Sequence, residues 1–280
     1  MLNNNYENTQ RLFSSYIFSK NHNLRKTKIT AMKDYCKKPY LPLVFFLIFL
    51  IHLPVGFAKS KPAYVRVNST PEKITEVNLS LKNANIYDSL QLDTLGLSKQ
   101  AFIDGLKGYD YLRSTGKLSN DNVLTIADFS LPSNEKRLFV IDMDNFQILY
   151  NTYVAHGRNS GREYANRFSN SPRSNMSSPG FYVTQNTYFG EHGFSLRLQG
   201  EEKGINDNAG RRAIVIHCAD YVSEKWIQDL GYIGRSLGCP ALPEKYAKPI
   251  IETIKDGSCF FIYSPNQKYL SRSHLLQKAS

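Results

Sequence analysis

Along the chain, hydrophobic and polar positions change period twice, and each change marks a different kind of element. From Ser98 to about Ser114, Phe102, Leu106, Tyr109 and Leu112 recur at three- and four-residue spacing, which predicts an amphipathic helix with Ser98 as its N-cap and Gly116 as its stop. After Val123 the pattern turns to short apolar or alternating runs, which read as strands. These are Val123 to Ala127, Arg137 to Asp142, Phe146 to Val154, Gly180 to Thr184, Phe194 to Leu198, Arg212 to His217 and Ser258 to Tyr263. Asp144-Asn145 supplies a turn between the second and third runs. Helical spacing returns over Pro243 to Lys255, with Tyr246, Ile250, Ile251 and Ile254 on one face and Gly257 after it. Pro249 interrupts that helix and predicts two short turns with a kink. The expected fold is mainly β, an antiparallel core with one helix before it and one near its end.

Before these elements lies a different texture. Leu41 to Leu53 is a thirteen-residue apolar run, preceded by Arg25, Lys26, Lys28, Lys33, Lys37 and Lys38 and followed by the small residues Gly56 and Ala58. This is the three-part pattern of an export signal, with cleavage expected after Ala58 and an uncleaved N-terminal membrane anchor as the alternative. The run is short of the roughly 20 residues that span a bilayer. A start at Met32 would give a signal of ordinary length. The expected organisation is therefore a signal or anchor over 1–58, a polar linker over 59–95, a catalytic domain over 96–265 and a tail over 266–280. On either outcome for the signal, the remainder works outside the cytoplasm, in the periplasm or cell envelope.

Charge changes meaning once that segment is set aside. The formal net charge of the whole chain is +11. Residues 1–58 carry eight basic and two acidic side chains, leaving 27 basic and 22 acidic, a net of +5. That mixed surface gives no case for nucleic acid and suits an anionic polymer or membrane. Of four cysteines, Cys218, Cys239 and Cys259 lie beyond the signal. The odd number points to at least one free thiol. Cys218 and Cys259 sit in strand-like runs, either as a disulfide pair or as two buried thiols.

Cys239 differs from both. It stands between Gly238 and Pro240, where glycine permits positive φ and proline directs the exit, so the thiol is presented on a sharp turn. His217 ends an apolar run, a position from which a strand holds a proton acceptor rigidly. A thiol with such a partner is the raw material of a cysteine nucleophile. His156-Gly157 and His192-Gly193 are further pocket candidates, and Arg235 could clamp a carboxylate. The long irregular segment from His156 to Ser178 is a candidate lid. A zinc site finds no support, because no pair among His217, Cys218, Cys239 and Cys259 has the two-to-four-residue gap of structural zinc. No cofactor is expected.

The stretches Leu124 to Ser130, Val154 to Gly161, Ser178 to Tyr182, Ile216-His217 and Gly234 to Ala241 (GRSLGCPA) occur in an order that resembles the murein L,D-transpeptidase catalytic domain family, transpeptidases of the YkuD type. The resemblance covers about Leu97 to Tyr263. Leu237 stands where better-known members have histidine, and Cys218 where they often have glycine. The resemblance implies a β-sandwich or barrel-like core with the cysteine at one end. It implies that Cys239 attacks a peptidoglycan stem tetrapeptide to form a thioester, which an amine resolves into a cross-link. His217 carries over as the base, with Ser236 and Gly238 as support. By geometry, the N–H groups of Gly238 and Cys239 are the expected oxyanion donors. Hydrolysis at the same site, by a carboxypeptidase or amidase, is the first alternative. A non-catalytic wall-binding module is the second, and an unrelated secreted cysteine peptidase the third. The sequence leaves the oligomeric state open.

Overall fold

The computed structural model describes residues 85–278. The expected signal or anchor, and the linker as far as residue 84, lie outside the described residues.

Helix α1 spans Lys99–Ser114. Ser98 caps it as expected, its Oγ accepting the Ala101 N–H at 3.2 Å. The Ser98 N–H reaches across to Asp128 Oδ2 at 3.0 Å and ties the start of the helix to the sheet. The predicted face is the buried one, carrying Phe102, Leu106, Tyr109 and Leu112. Gly108 lets this helix come close. A Cβ there would stand 2.1 Å from Phe181 Cζ, so the helix backbone rests directly on that ring.

The strands are β1 (Val123–Asp128), β2 (Leu138–Asp142), β3 (Gln147–Thr152), β4 (Gly180–Gly190), β5 (Gly193–Gly200), β6 (Val215–Cys218), β7 (Ala241–Leu242) and β8 (Cys259–Tyr263). They form one sheet in the order β3-β2-β1-β8-β4-β5-β6-β7. The expected all-antiparallel pairing is corrected at two seams, since β1 pairs with β8 and β6 pairs with β7 in parallel. Parallel neighbours need long crossovers, and these are present. Helix α2 (Glu224–Leu230) lies between β6 and β7, and α3 (Glu244–Ile254) between β7 and β8.

Period-two alternation sends Leu124, Ile126, Phe139, Ile141, Phe181 and Phe261 to the α1 face. Val123, Leu138, Val140, Tyr182, Phe260 and Ile262 go to the opposite face, where they meet Ile250, Ile251 and Ile254 of α3. Covering both faces explains why the central strands read as continuous apolar runs. Phe181 and Phe261 stack at 4.1 Å between centroids, and each full burial contributes about 1.5–3 kcal/mol. On the other face, the packing of Ile250, Ile251 and Ile254 carries α3 unbroken through Pro249, where a kink was expected. The sheet curls until its ends approach. Ala155, just beyond β3, donates its N–H to Ala241 O of β7 at 2.9 Å, making the sheet a nearly closed barrel.

Two expected boundaries move. Tyr87 and Leu92, placed in the linker, are buried against α1. The expected tail folds as α4 (Gln267–Leu270) and α5 (His274–Lys278), with Tyr269 and Leu275 in the same cluster. Glu202 fastens this end. Its carboxylate accepts the Phe181 N–H at 2.8 Å, the Tyr269 hydroxyl at 3.4 Å and the Ser273 hydroxyl. Burial pushes the Glu202 carboxyl above its usual range despite these donors.

Removing three satisfied donors' acceptor is expected to cost about 3 kcal/mol in Glu202→Ala, read as a lowered midpoint in urea unfolding. Because the folded-state pKa is raised, the contribution of the carboxyl is full below the unfolded value and fades as pH climbs through the folded one. Wild type should therefore lose stability relative to Glu202→Gln as pH rises from 4 to 8. A flat difference would contradict the assignment.

Candidate active site

The turn at residues 234–241 is held from both sides. The Ser236 N–H donates to His156 O at 3.0 Å, and Ser236 O accepts the Arg158 N–H at 2.8 Å. Within the turn, Ser236 Oγ donates to Cys239 O at 2.6 Å and accepts the Gly238 N–H at 3.0 Å. Gly238 has φ of +129°, and a Cβ there would lie 2.9 Å from Met176 O, so no other residue fits. Leu237, between them, is 61% exposed.

These contacts bring Cys239 alongside β6. Burial, the largest effect, pushes its thiol up, while the Val215 N–H and the Arg212 charge favour the thiolate. Cys239 Sγ lies 3.7 Å from Ala213 O. Ala213 holds φ of +51°, a costly conformation for a residue with a Cβ, and it turns that carbonyl toward the sulfur.

His217 is buried on β6 and pairs in register with Ala241, two residues past Cys239. Carried two residues back, that register sets Cys239 near the level of Val215. No hydrogen bond joins them among the described residues. His217 Nδ1 lies 2.8 Å from Cys218 O. A carbonyl only accepts, so Nδ1 carries the proton and Nε2 is left as the acceptor. Burial holds the His217 pKa below its ordinary value, with Cys218 O opposing and His192 adding to the depression. The resting pair is thus a neutral thiol and a neutral imidazole.

The other expected site residues divide. His192 is brought in, its ring stacked on His217 at 4.4 Å. Arg235 is exposed beside the turn and donates to Gly161 O at 3.1 Å. His156 is fully buried, which corrects its expected place in a substrate pocket. Its Nδ1 accepts from Arg137 Nη2 at 2.7 Å, and burial together with that cation pushes its pKa down to about 3. Its role is to hold the loop that grips Ser236. Gly157 is buried too, where a Cβ would meet Asn175 O at 2.7 Å. The Gly238 N–H, an expected oxyanion donor, is already committed to Ser236 Oγ. Of the two readings of Cys218 and Cys259, the structure has the thiols rather than the disulfide: both are free, as is Cys239, with Cys259 buried and Cys218 half-buried.

Arg212 is the residue that the sequence reading missed. It donates to Ser169 O at 2.8 Å, Ser178 Oγ at 2.6 Å and Met176 O at 2.5 Å. These bonds fasten the segment expected as a lid into a fixed wall beside Cys239. Its only signal was a basic pair, Arg211-Arg212, before an apolar run.

A family profile described as the L,D-transpeptidase catalytic domain, of YkuD type, matches residues 93–263. No curated protein sequence matches the chain. Among solved structures, an L,D-transpeptidase from Mycobacterium smegmatis is similar at 14% identity, covering 51% of this chain and 59% of that one, with a TM-score of 0.32. L,D-transpeptidase 1 of Mycobacterium tuberculosis matches at 10% identity over 51% and 62%, with a TM-score of 0.29. A fused Zn-dependent amidase/peptidase/peptidoglycan-binding protein from Clostridium acetobutylicum matches at 15% over 55% and 61%, with a TM-score of 0.30. The chain thus spans about three-fifths of the length of these proteins.

Raised by burial, the Cys239 thiol should react with iodoacetamide slowly at neutral pH and faster as pH rises past 9. Arg212→Gln, which removes the opposing cation, should slow alkylation at pH 8 further. Peptide-level mass spectrometry reads the rate, and alkylation faster than that of free cysteine at pH 7 would refute the assigned environment.

Proposed function

The chain belongs to the L,D-transpeptidase catalytic domain family, and on that premise we propose that it is an exported cysteine acyltransferase acting on peptidoglycan stem peptides in the cell envelope. The observation that carries this reading is the bonded turn that holds Cys239 two residues before the β6–β7 pair, in which His217 presents an unprotonated Nε2. Neither group is charged at rest. Proton transfer from Sγ to Nε2 therefore accompanies attack, and the ion pair forms only as the new bond does.

The sulfur attacks the carbonyl of the third stem residue, and the C–N bond to the terminal D-amino acid breaks. His217 returns its proton to the leaving amine. The product is a thioester on Cys239. An amine from a second stem then attacks this thioester, giving a cross-link and restoring the thiol. Of the two backbone donors expected for the oxyanion, we assign the role to the Cys239 N–H, since the Gly238 N–H is taken by Ser236 Oγ. The Arg212 guanidinium adds a fixed positive field beside the reacting sulfur. Ser236 acts through the backbone, bracing the turn from Gly238 to Cys239.

Intact-mass measurement after treatment with a carbapenem tests the nucleophile. Wild type should gain one adduct and Cys239→Ala none, whereas a gain in the alanine variant would end the assignment. His217→Ala should slow adduct formation by about 10²–10⁴-fold, the usual worth of a general base. Incubation with a purified disaccharide-tetrapeptide should yield a dimer, and a shortened monomer alone would reassign the enzyme to hydrolysis.

A further inference from the structure

We propose that His192 is a positioning residue for His217, its ring fixing the plane of the base while β6 grips its backbone. This rests on the reading of His217 as the base. The β4–β5 hairpin reaches its tip at Glu191-His192, between the paired glycines Gly190 and Gly193. A histidine in such a turn is expected to project into water. His192 is exposed, yet its ring lies on His217 at 4.4 Å between centroids, with 22° between the planes. Its carbonyl accepts the Cys218 thiol at 3.5 Å. Two consecutive residues of β6 thus hold one residue of the turn, one by its ring and the other by its backbone.

The consequence is steric and directional. The bond from Nδ1 to Cys218 O restrains His217 within its ring plane. By itself that bond leaves the ring free to rock about the Nδ1–O axis. The stack removes that freedom, so Nε2 keeps one direction. Cys218, where the family often has glycine, thereby acquires a task, for its sulfur anchors the turn that carries His192.

Three variants in the full chain separate this role from a substrate contact or a passive surface position. His192→Ala and His192→Gln remove the ring, whereas His192→Phe keeps a stacking face. Carbapenem acylation is followed over a range of concentrations, giving a maximal rate and a half-saturating concentration. Loss of the ring should lower the maximal rate about tenfold with the half-saturating concentration unchanged, and Phe should recover most of it. Long-range ¹H–¹⁵N spectra of the His217 ring should show the Nδ1–H tautomer alone in wild type and Phe, and mixed tautomers in Ala and Gln. The proposal is overturned if Ala, Gln and Phe all match wild type, if Phe behaves as Ala does, or if the effect lies in the half-saturating concentration. If wild type itself is not acylated, the reading of Cys239 fails, while the ring spectra still decide the role of His192.

Discussion

The parallel seam between β6 and β7 is the constraint on which the rest of the site hangs. β7 is two residues long and could not hold its place by its own ladder. It is held because His217 and Cys218 pair with it on one side and Ala155 bonds to it on the other. The turn before it inherits this rigidity, since Ser236 is bonded both to the 156–158 segment and within the turn itself. A cysteine on an unsupported loop would sample many positions relative to a strand histidine. Here the curl of the sheet sets that relation.

Electrostatics at the sulfur is a contest that burial wins in the resting state. Arg212 and the Val215 N–H both favour the thiolate, yet the thiol remains raised. His217 is depressed for the same reason. A site of this kind stores no reactive anion and generates one only when a proton acceptor and an electrophile are both in place. A resting thiol of this kind is also slow to oxidise, because reaction with oxidants follows thiolate character. Arg212 serves twice, since the guanidinium whose charge favours the thiolate also binds the wall from Ser169 to Ser178.

Buried polar groups away from the sulfur support the same geometry. Arg137 is fully buried without an ion pair among the described residues. It spends its donors on Val154 O, Leu131 O and His156 Nδ1. Burial lowers its pKa to about 9, which still leaves it charged near neutrality. Its cost is offset by fixing the strand exit at Val154 and the loop that holds Ser236. Glu202 does comparable work where α4 and α5 dock.

Periodicity in the chain determined much by itself. The face of α1 and its Ser98 cap, seven of the eight strands, and the singular chemistry of Gly238-Cys239-Pro240 were all legible, because each depends on residues within a few positions of one another. What escaped was whatever depends on partners far along the chain. The two-residue β7 has no pattern of its own, and parallel pairing leaves no local mark. Pro249 reads as a break until the packing of Ile250, Ile251 and Ile254 outweighs it. His156 and His192 carry the same local signal, a histidine before a glycine, yet one is sealed against Arg137 and the other lies on His217. Only the closure of the sheet decides between them, because burial and charge at a side chain are set by what the fold brings beside it.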